Sequence, residues 1–171
     1  SIKSTSFPFA QYRKGKRNLA VASYNTIINK KKLFAQAPTG IGKTISTLFP
    51  AVKALGEGHT SKIFYLTAKT ITRSVAEESI SLMTKKGLHV KSVTITAKEK
   101  ICFKDEAICT PENCEYAKGH YDRINTAMYD ALMSEDNLSR ENIEVYAKKH
   151  MVCPFEFTLD LTLFADIIIC D

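Results

Sequence analysis

The sequence predicts an α/β fold: a parallel sheet with helices on both faces, organised around a phosphate-binding loop and interrupted by a helical four-cysteine insertion. Three observations predict it. Short apolar runs alternate with helical stretches through the first half of the 171 residues, which is the rhythm of strands laid parallel with helices packed over them. The glycine-bearing loop "APTGIGKT", Ala37 to Thr44, interrupts that rhythm where a strand would end and a helix begin. At Lys98 the alternation stops, four of the five cysteines follow, and the rhythm returns only in "LTLFADIIICD" at the end.

Taken in order, "NLAVASYNTIIN" (Asn18 to Asn29) places Leu19, Ala22, Ile27 and Ile28 at helical spacing, and a basic "KKK" leads into the apolar run "LFAQA", read as a strand. After the loop, "KTISTLFPAVKALG" predicts a helix closed by Gly56 and kinked at Pro50, which lacks a backbone donor. "KIFYLT" then predicts a strand, "TITRSVAEESISLMTKKG" a helix ending near Gly87, and "VKSVTIT" a second strand. Between Lys98 and Pro154 the sequence predicts a helix from about Tyr116 to Met133, another after a Ser139 cap, and no strand. The terminal segment runs from a helix into an apolar strand ending at Asp171. The expected organisation is therefore residues 1–97 and 155–171 as one α/β domain, with residues 98–154 inserted into it.

Composition narrows the function classes. The excess of 24 Lys and Arg over 18 Asp and Glu gives a formal charge of +6, which favours a polyanionic partner such as nucleic acid. Basic clusters such as Lys30 to Lys32 or Lys148 and Lys149 are individually more often solvated faces than binding sites. No run approaches the ~20 apolar residues of a membrane span, and the first residues lack a signal-peptide core. A cytoplasmic location is expected. In that reducing setting the five cysteines are read as metal ligands, redox groups or buried apolar residues rather than disulfides.

The loop matches a Walker A pattern in which Ala37 replaces the first glycine. Backbone amides around Gly40 and Gly42 can face phosphate oxygens because neither residue carries a Cβ, and the following helix adds its positive end. Lys43 neutralises the outer phosphates in this reading, and the Thr44 hydroxyl ligates Mg²⁺. Such a loop serves ATP with an acidic partner at the end of a nearby strand. "DIIICD" is the apolar run that ends in a carboxylate, so Asp171 is the expected Walker B residue. An ordinary glycine turn with an exposed lysine, and an ordinary strand-terminal aspartate, are the bland alternatives.

Cys102, Cys109, Cys114 and Cys153 are separated by six, four and thirty-eight residues, too widely for paired zinc knuckles. Four thiolates suit an iron-sulfur cluster of the 4Fe-4S kind, and Pro154 follows the last of them as in some ferredoxin-type sites. Zinc is the rival, with His150 completing a Cys₃His set. Unligated buried thiols are the bland alternative, and the expected one for Cys170 within the terminal strand.

A phosphate loop, then "LTAKTITR", then four cysteines, then "IIICD" resembles in order the XPD/DinG-like branch of superfamily 2 DNA helicases. The resemblance implies a RecA-like first motor domain with an iron-sulfur insertion, ATP-driven 5′-to-3′ movement on single-stranded DNA, and a role in DNA repair. It implies that Ala37, Thr39, Gly40, Gly42, Lys43 and Thr44 bind ATP–Mg²⁺, with Asp171 opening motif II. It further implies that Thr67, Lys69, Thr70 and Arg73 face the DNA backbone, and that Cys102, Cys109, Cys114 and Cys153 hold the cluster. Hydroxyls and basic groups suit phosphate contacts without base reading, although a helix cap at Thr67 or Thr70 is the local alternative.

Two departures accompany the resemblance. "YRKGKR" carries Lys16 where the family's adenine-reading Gln stands, and an ammonium cannot both donate and accept. The catalytic Glu after the motif II Asp and a C-terminal motor domain are also expected of the family, so the chain as given is expected to bind nucleotide or DNA weakly and not to unwind. A metal-stabilised nucleic-acid-binding module independent of ATP, and a small P-loop kinase, are the competing functions.

Overall fold

Apolar side chains at helical spacing decide where the second helix sits, whereas the face that the first helix buries is Lys16, Ala20 and Ser23. The computed structural model describes residue 2, residues 15–38 and residues 42–170, and the chain divides into two compact units, Ser1–Val90 and Lys91–Asp171.

In the first unit, α1 (Lys16–Ile28) packs against α2 (Lys43–Gly56). The buried residues of α1 are Lys16, Ala20 and Ser23, of which the small Ala20 and Ser23 let the two backbones approach. In α2, Ile45, Leu48 and Val52 supply the apolar stripe. The helix continues through Pro50 to Gly56, so one backbone bond is lost inside it without ending it. Strand β1 (Ile63–Leu66) and helix α3 (Thr70–Thr84) follow, with Ala76, Ile80 and Met83 of α3 buried. At its end the Leu88 amide returns to the Met83 carbonyl at 3.1 Å across Gly87, whose φ is +90°. That left-handed residue stops the helix where the sequence places its end.

The run "LFAQA" corrects an expectation. Residues 33–37 are not a strand, and Phe34 is 95% exposed. The run is too short to show an alternation, and it buries neither Leu33 nor Phe34 in a way that would hold it to a ladder.

In the second unit β2 (Ser92–Ile95) is flanked by two parallel partners, β3 (Asn137–Leu138) and β4 (Ile167–Cys170). Ser92 pairs with Asn137 on one side and Ile167 on the other, and the β4 register runs on to Ile95 opposite Cys170. Ile167, Ile168 and Ile169 are all buried, as expected of a parallel strand covered on both faces. Strand β3 corrects the expectation that residues 98–154 contain none. Two residues, of which only Leu138 is buried, carry no periodicity to read.

Helices α4 (Lys98–Ile101), α5 (His120–Ser134), α6 (Arg140–His150) and α7 (Pro154–Leu161) complete this unit. Helix α5 starts later than Tyr116 because Gly119, at φ +68°, turns the chain into it. Ser139 caps α6 by accepting from the Asn142 amide at 3.4 Å, and Pro154 opens α7 at a first-turn position that needs no donor. One core joins Val93 and Ile168 of the sheet to Ile124, Ala127, Ile143, Ala147 and Phe157 of the helices. Much of the 98–154 segment is thus packed into the same core as the strands. Among the described residues, no helix is long and apolar enough to cross a membrane.

Candidate functional site

The expected phosphate loop leads into α2 at Gly42. Gly42 caps that helix at φ +74°, a left-handed conformation that costs glycine nothing. Among the described residues no side chain caps the helix, and its first turn holds no acidic residue, so its positive end suits an anion. Lys43 is the first helical residue, and its ammonium donates to the carbonyls of Ala37 at 2.9 Å and Pro38 at 3.3 Å. Thr44 is buried, and its hydroxyl accepts from the Tyr65 hydroxyl of β1 at 3.3 Å. Lys16, at the start of α1, is buried against Gly42. Ala37, Gly42, Lys43 and Thr44 therefore meet at one helix end. Thr39, Gly40 and Asp171 lie outside the described residues.

The expected DNA-facing residues gather at the start of α3. The Thr67 hydroxyl closes a local turn with the amide of Lys69 at 3.3 Å. That geometry is the helix-entry role available to a threonine there. Lys69 and Thr70 are exposed, while Thr67 and Arg73 are half-buried.

The four cysteines named above line one cavity of about 300 Å³ in the second unit. They reach it from different places: Cys102 just after α4, Cys109 and Cys114 from the loop before α5, and Cys153 at the cap of α7. Phe103, Tyr116 and Phe155 supply apolar walls, with the Phe103 and Tyr116 rings 4.9 Å apart. Cys109 is exposed and Cys114 buried. Among the described residues, no group of three or more His, Cys, Asp or Glu stands ready-made at metal-ligand spacing. Four soft donors on a shared, partly apolar cavity nevertheless match in kind what a metal-sulfur group requires.

Electrostatics around the cavity are mixed. Burial pushes the Cys153 thiol up from its ordinary pKa, opposed by the amides of Glu156 and Phe155. Cys109 beside Lys98 raises the lysine's pKa and keeps it cationic, and the Lys148 ammonium stands 4.9 Å from the Phe103 ring centre. His120, 3% exposed, also borders the cavity. Burial lowers its pKa, against the opposing pull of Asp160.

His120 was not legible in the sequence, where a lone histidine after a glycine carries no signal. His150, the expected zinc partner, is elsewhere: its Nε2 lies 2.7 Å from the Asp130 carboxylate, and it does not line the cavity. A Cys₃His site built on His150 therefore loses its histidine. The carboxylate on α5 captures the ring at the end of α6 instead.

Comparison with known proteins adds family information. A profile of the DEAD/DEAH box helicase family matches residues 18–139. The chain is also similar to a probable ATP-dependent helicase of Methanocaldococcus jannaschii, 39% identical over 46 residues. That stretch covers 27% of this chain and 7% of the relative's length.

Proposed function

Because the chain belongs to the DEAD/DEAH box helicase family, whose profile matches more than half of it, we propose that it is the ATP-gripping part of a DNA helicase of the XPD/DinG-like branch. In this reading ATP binding and hydrolysis drive 5′-to-3′ movement along single-stranded DNA, with DNA repair as the setting. The observation that carries it is the helix entry at Gly42, Lys43 and Thr44, which among the described residues has no side-chain cap and no acidic side chain in its first turn.

Gly42 would let the phosphates approach the backbone, Lys43 would leave the loop carbonyls to neutralise them, and Thr44 would hold Mg²⁺. Thr39, Gly40 and Asp171 are assigned to the same nucleotide–Mg²⁺ site. Bound Mg²⁺ supplies charge neutralisation at the β- and γ-phosphate oxygens. Thr67, Lys69, Thr70 and Arg73 are assigned to the DNA backbone, and a C-terminal motor domain is the expected partner.

Cys102, Cys109, Cys114 and Cys153 are assigned to a 4Fe-4S cluster within residues 98–154, supported by their shared cavity. Its structural contribution would be to tie together the loop before α5 and the start of α7. Anaerobically purified protein should then be brown and contain iron and acid-labile sulfide. Colourless protein with stoichiometric zinc would exclude the cluster.

A metal-stabilised nucleic-acid module independent of ATP is the second reading, favoured by the net charge of +6 and the thiol-lined cavity. Single-stranded DNA affinity measured with and without ATP–Mg²⁺ separates the two. A motor predicts that nucleotide changes the affinity and that Lys43→Ala abolishes that change. An affinity indifferent to ATP–Mg²⁺ in the wild type would establish the second reading.

A further inference from the structure

His120 opens α5 and borders the cavity that Cys102, Cys109, Cys114 and Cys153 line. It is 3% exposed, so its ring has left water. One ring nitrogen is accounted for: Nδ1 accepts from the Cys153 amide at 3.2 Å. A neutral ring that accepts there carries its proton on Nε2, which makes Nε2 a donor. Among the described residues that donor has no hydrogen-bond partner. An Asp160 carboxylate oxygen stands 3.9 Å away, beyond hydrogen-bond reach, on a side chain that is 40% exposed and can be served by water.

A buried donor without an acceptor is costly, and such a group in a folded protein calls for a bound molecule, ion or cofactor to answer it. The chemistry around His120 names the acceptor class. Four cysteines bring sulfur to the same cavity, and as metal ligands they are thiolates, negatively charged and able to accept. Phe103, Tyr116 and Phe155 make part of the wall apolar, so water competes weakly and a polar contact inside is strengthened. His150 is held by Asp130 at 2.7 Å and does not line the cavity, which leaves His120 as the histidine beside the thiols among the described residues. For Nε2 to ligate a metal, the ring proton would have to move to Nδ1, where the Cys153 amide already donates. The geometry therefore suits His120 to donate to a metal-sulfur group and not to be one of its ligands.

We propose that His120 donates a hydrogen bond from Nε2 to a sulfur of the iron-sulfur group, a thiolate or an inorganic sulfide, and so raises the group's reduction potential. The inference rests on the assignment of the four cysteines to a 4Fe-4S cluster. An N–H directed at sulfur stabilises the more negative, reduced form over the oxidised one. One ring then has two duties: Nδ1 holds the cap of α7 that carries Cys153, and Nε2 offsets the charge that the cluster gains on reduction.

The test uses anaerobically purified chain with nitrogen-15-labelled histidine, reduced and read by pulsed electron paramagnetic resonance, followed by redox titration of wild type, His120→Asn and His120→Gln. Asparagine keeps an acceptor near the Nδ1 position but lacks the far donor, whereas glutamine reaches further and supplies an N–H. A weak coupling between a histidine nitrogen and the cluster spin is expected in wild type and should vanish in both variants. The midpoint potential of His120→Asn should fall by about a tenfold change in the reduced-to-oxidised ratio, which is ~59 mV for one electron. His120→Gln should recover part of that shift.

Brown wild-type protein with iron and acid-labile sulfide but no histidine coupling would overturn the proposal and leave the cluster standing. A coupling as strong as direct iron ligation would overturn it too, as would a midpoint unchanged in His120→Asn. If both variants lose the cluster, the presence or absence of the weak coupling in wild type decides. Colourless wild-type protein with stoichiometric zinc would remove the cluster reading, and the proposal with it.

Discussion

The backbone amide of Cys153 donates to Nδ1 of His120 at 3.2 Å. This bond holds the cap of α7, and with it a thiol, to the first turn of α5. It also fixes the tautomer: a neutral ring that accepts at Nδ1 carries its proton on Nε2. That Nε2 is buried with no hydrogen-bond partner among the described residues, 3.9 Å from an Asp160 carboxylate oxygen, beside the cavity that the four cysteines line.

Removing His120 should therefore loosen the cysteine cavity before it affects anything else. His120→Ala leaves the Cys153 amide without its acceptor, a loss of about 1–3 kcal/mol in unfolding free energy. His120→Asn, which restores an acceptor, should recover part of it. In protein purified with bound metal, release to a chelator should be fastest in the alanine variant. Release at the wild-type rate in all three proteins would show that His120 does not position Cys153.

Arg123 ties the same region from the other side. Its guanidinium donates to the Lys118 carbonyl at 2.6 Å, to His150 at 3.1 Å and to Met151 at 2.5 Å, joining the turn after Cys114 to the segment before Cys153. Arg123→Ala should cost about 1.5–3 kcal/mol in denaturant unfolding, the range for hydrogen bonds to charged groups. Arg123→Lys should not rescue it, because one ammonium cannot span the carbonyls that the planar fork reaches. Full rescue by lysine would show that charge alone matters there.

Acid should weaken the junction of α5 and α6. The Lys149 ammonium, then the His150 ring, hold the Asp130 carboxyl below its ordinary value of 3.8, while Asp130 raises Lys149 above 10.5. A lowered carboxyl contributes stability that is present above 3.8 and lost as pH falls through the lowered value. A raised lysine contributes stability present below 10.5 and lost as pH rises through the raised value. The melting temperature should fall at both extremes on account of this cluster, and Asp130→Asn should flatten both limbs. Added salt should shrink the difference between variant and wild type.

Met151 closes α6 in a left-handed conformation, φ +52° and ψ +46°. Such backbone costs about 1–2 kcal/mol in a residue with a Cβ, and glycine avoids it. The side chain is 41% exposed, so little packing is at stake. Met151→Gly should raise unfolding free energy by about 0.5–1 kcal/mol in a thermal or denaturant melt. Destabilisation of that size would mean that the thioether packs more than its exposure suggests.

Elements written into contiguous residues were legible in the sequence. Gly42-Lys43-Thr44 forms a glycine-capped helix start, Ser139 caps α6, Gly87 ends α3, and the three isoleucines of β4 lie in a buried parallel strand. Each depends on backbone geometry within a few residues or on an unbroken apolar run, which nearest neighbours decide. Elements that depend on a distant partner misled or escaped the same reading. Leu33 and Phe34 look like a strand and are exposed, whereas Asn137 and Leu138 look like a loop and pair with β2.

What the sequence determined alone is the inventory: a glycine-led helix start at Lys43, strands and helices in alternation, and four thiols. Tertiary structure decided which of these meet. It places Lys16 on Gly42, directs His150 to Asp130 and away from the thiols, and sets His120 behind Cys153. The physical reason is range. Helix starts and stops follow from dihedral preferences and local hydrogen bonds, whereas a binding site needs side chains far apart in the chain to share one cavity. Only the packing of the helices in each unit selects those neighbours.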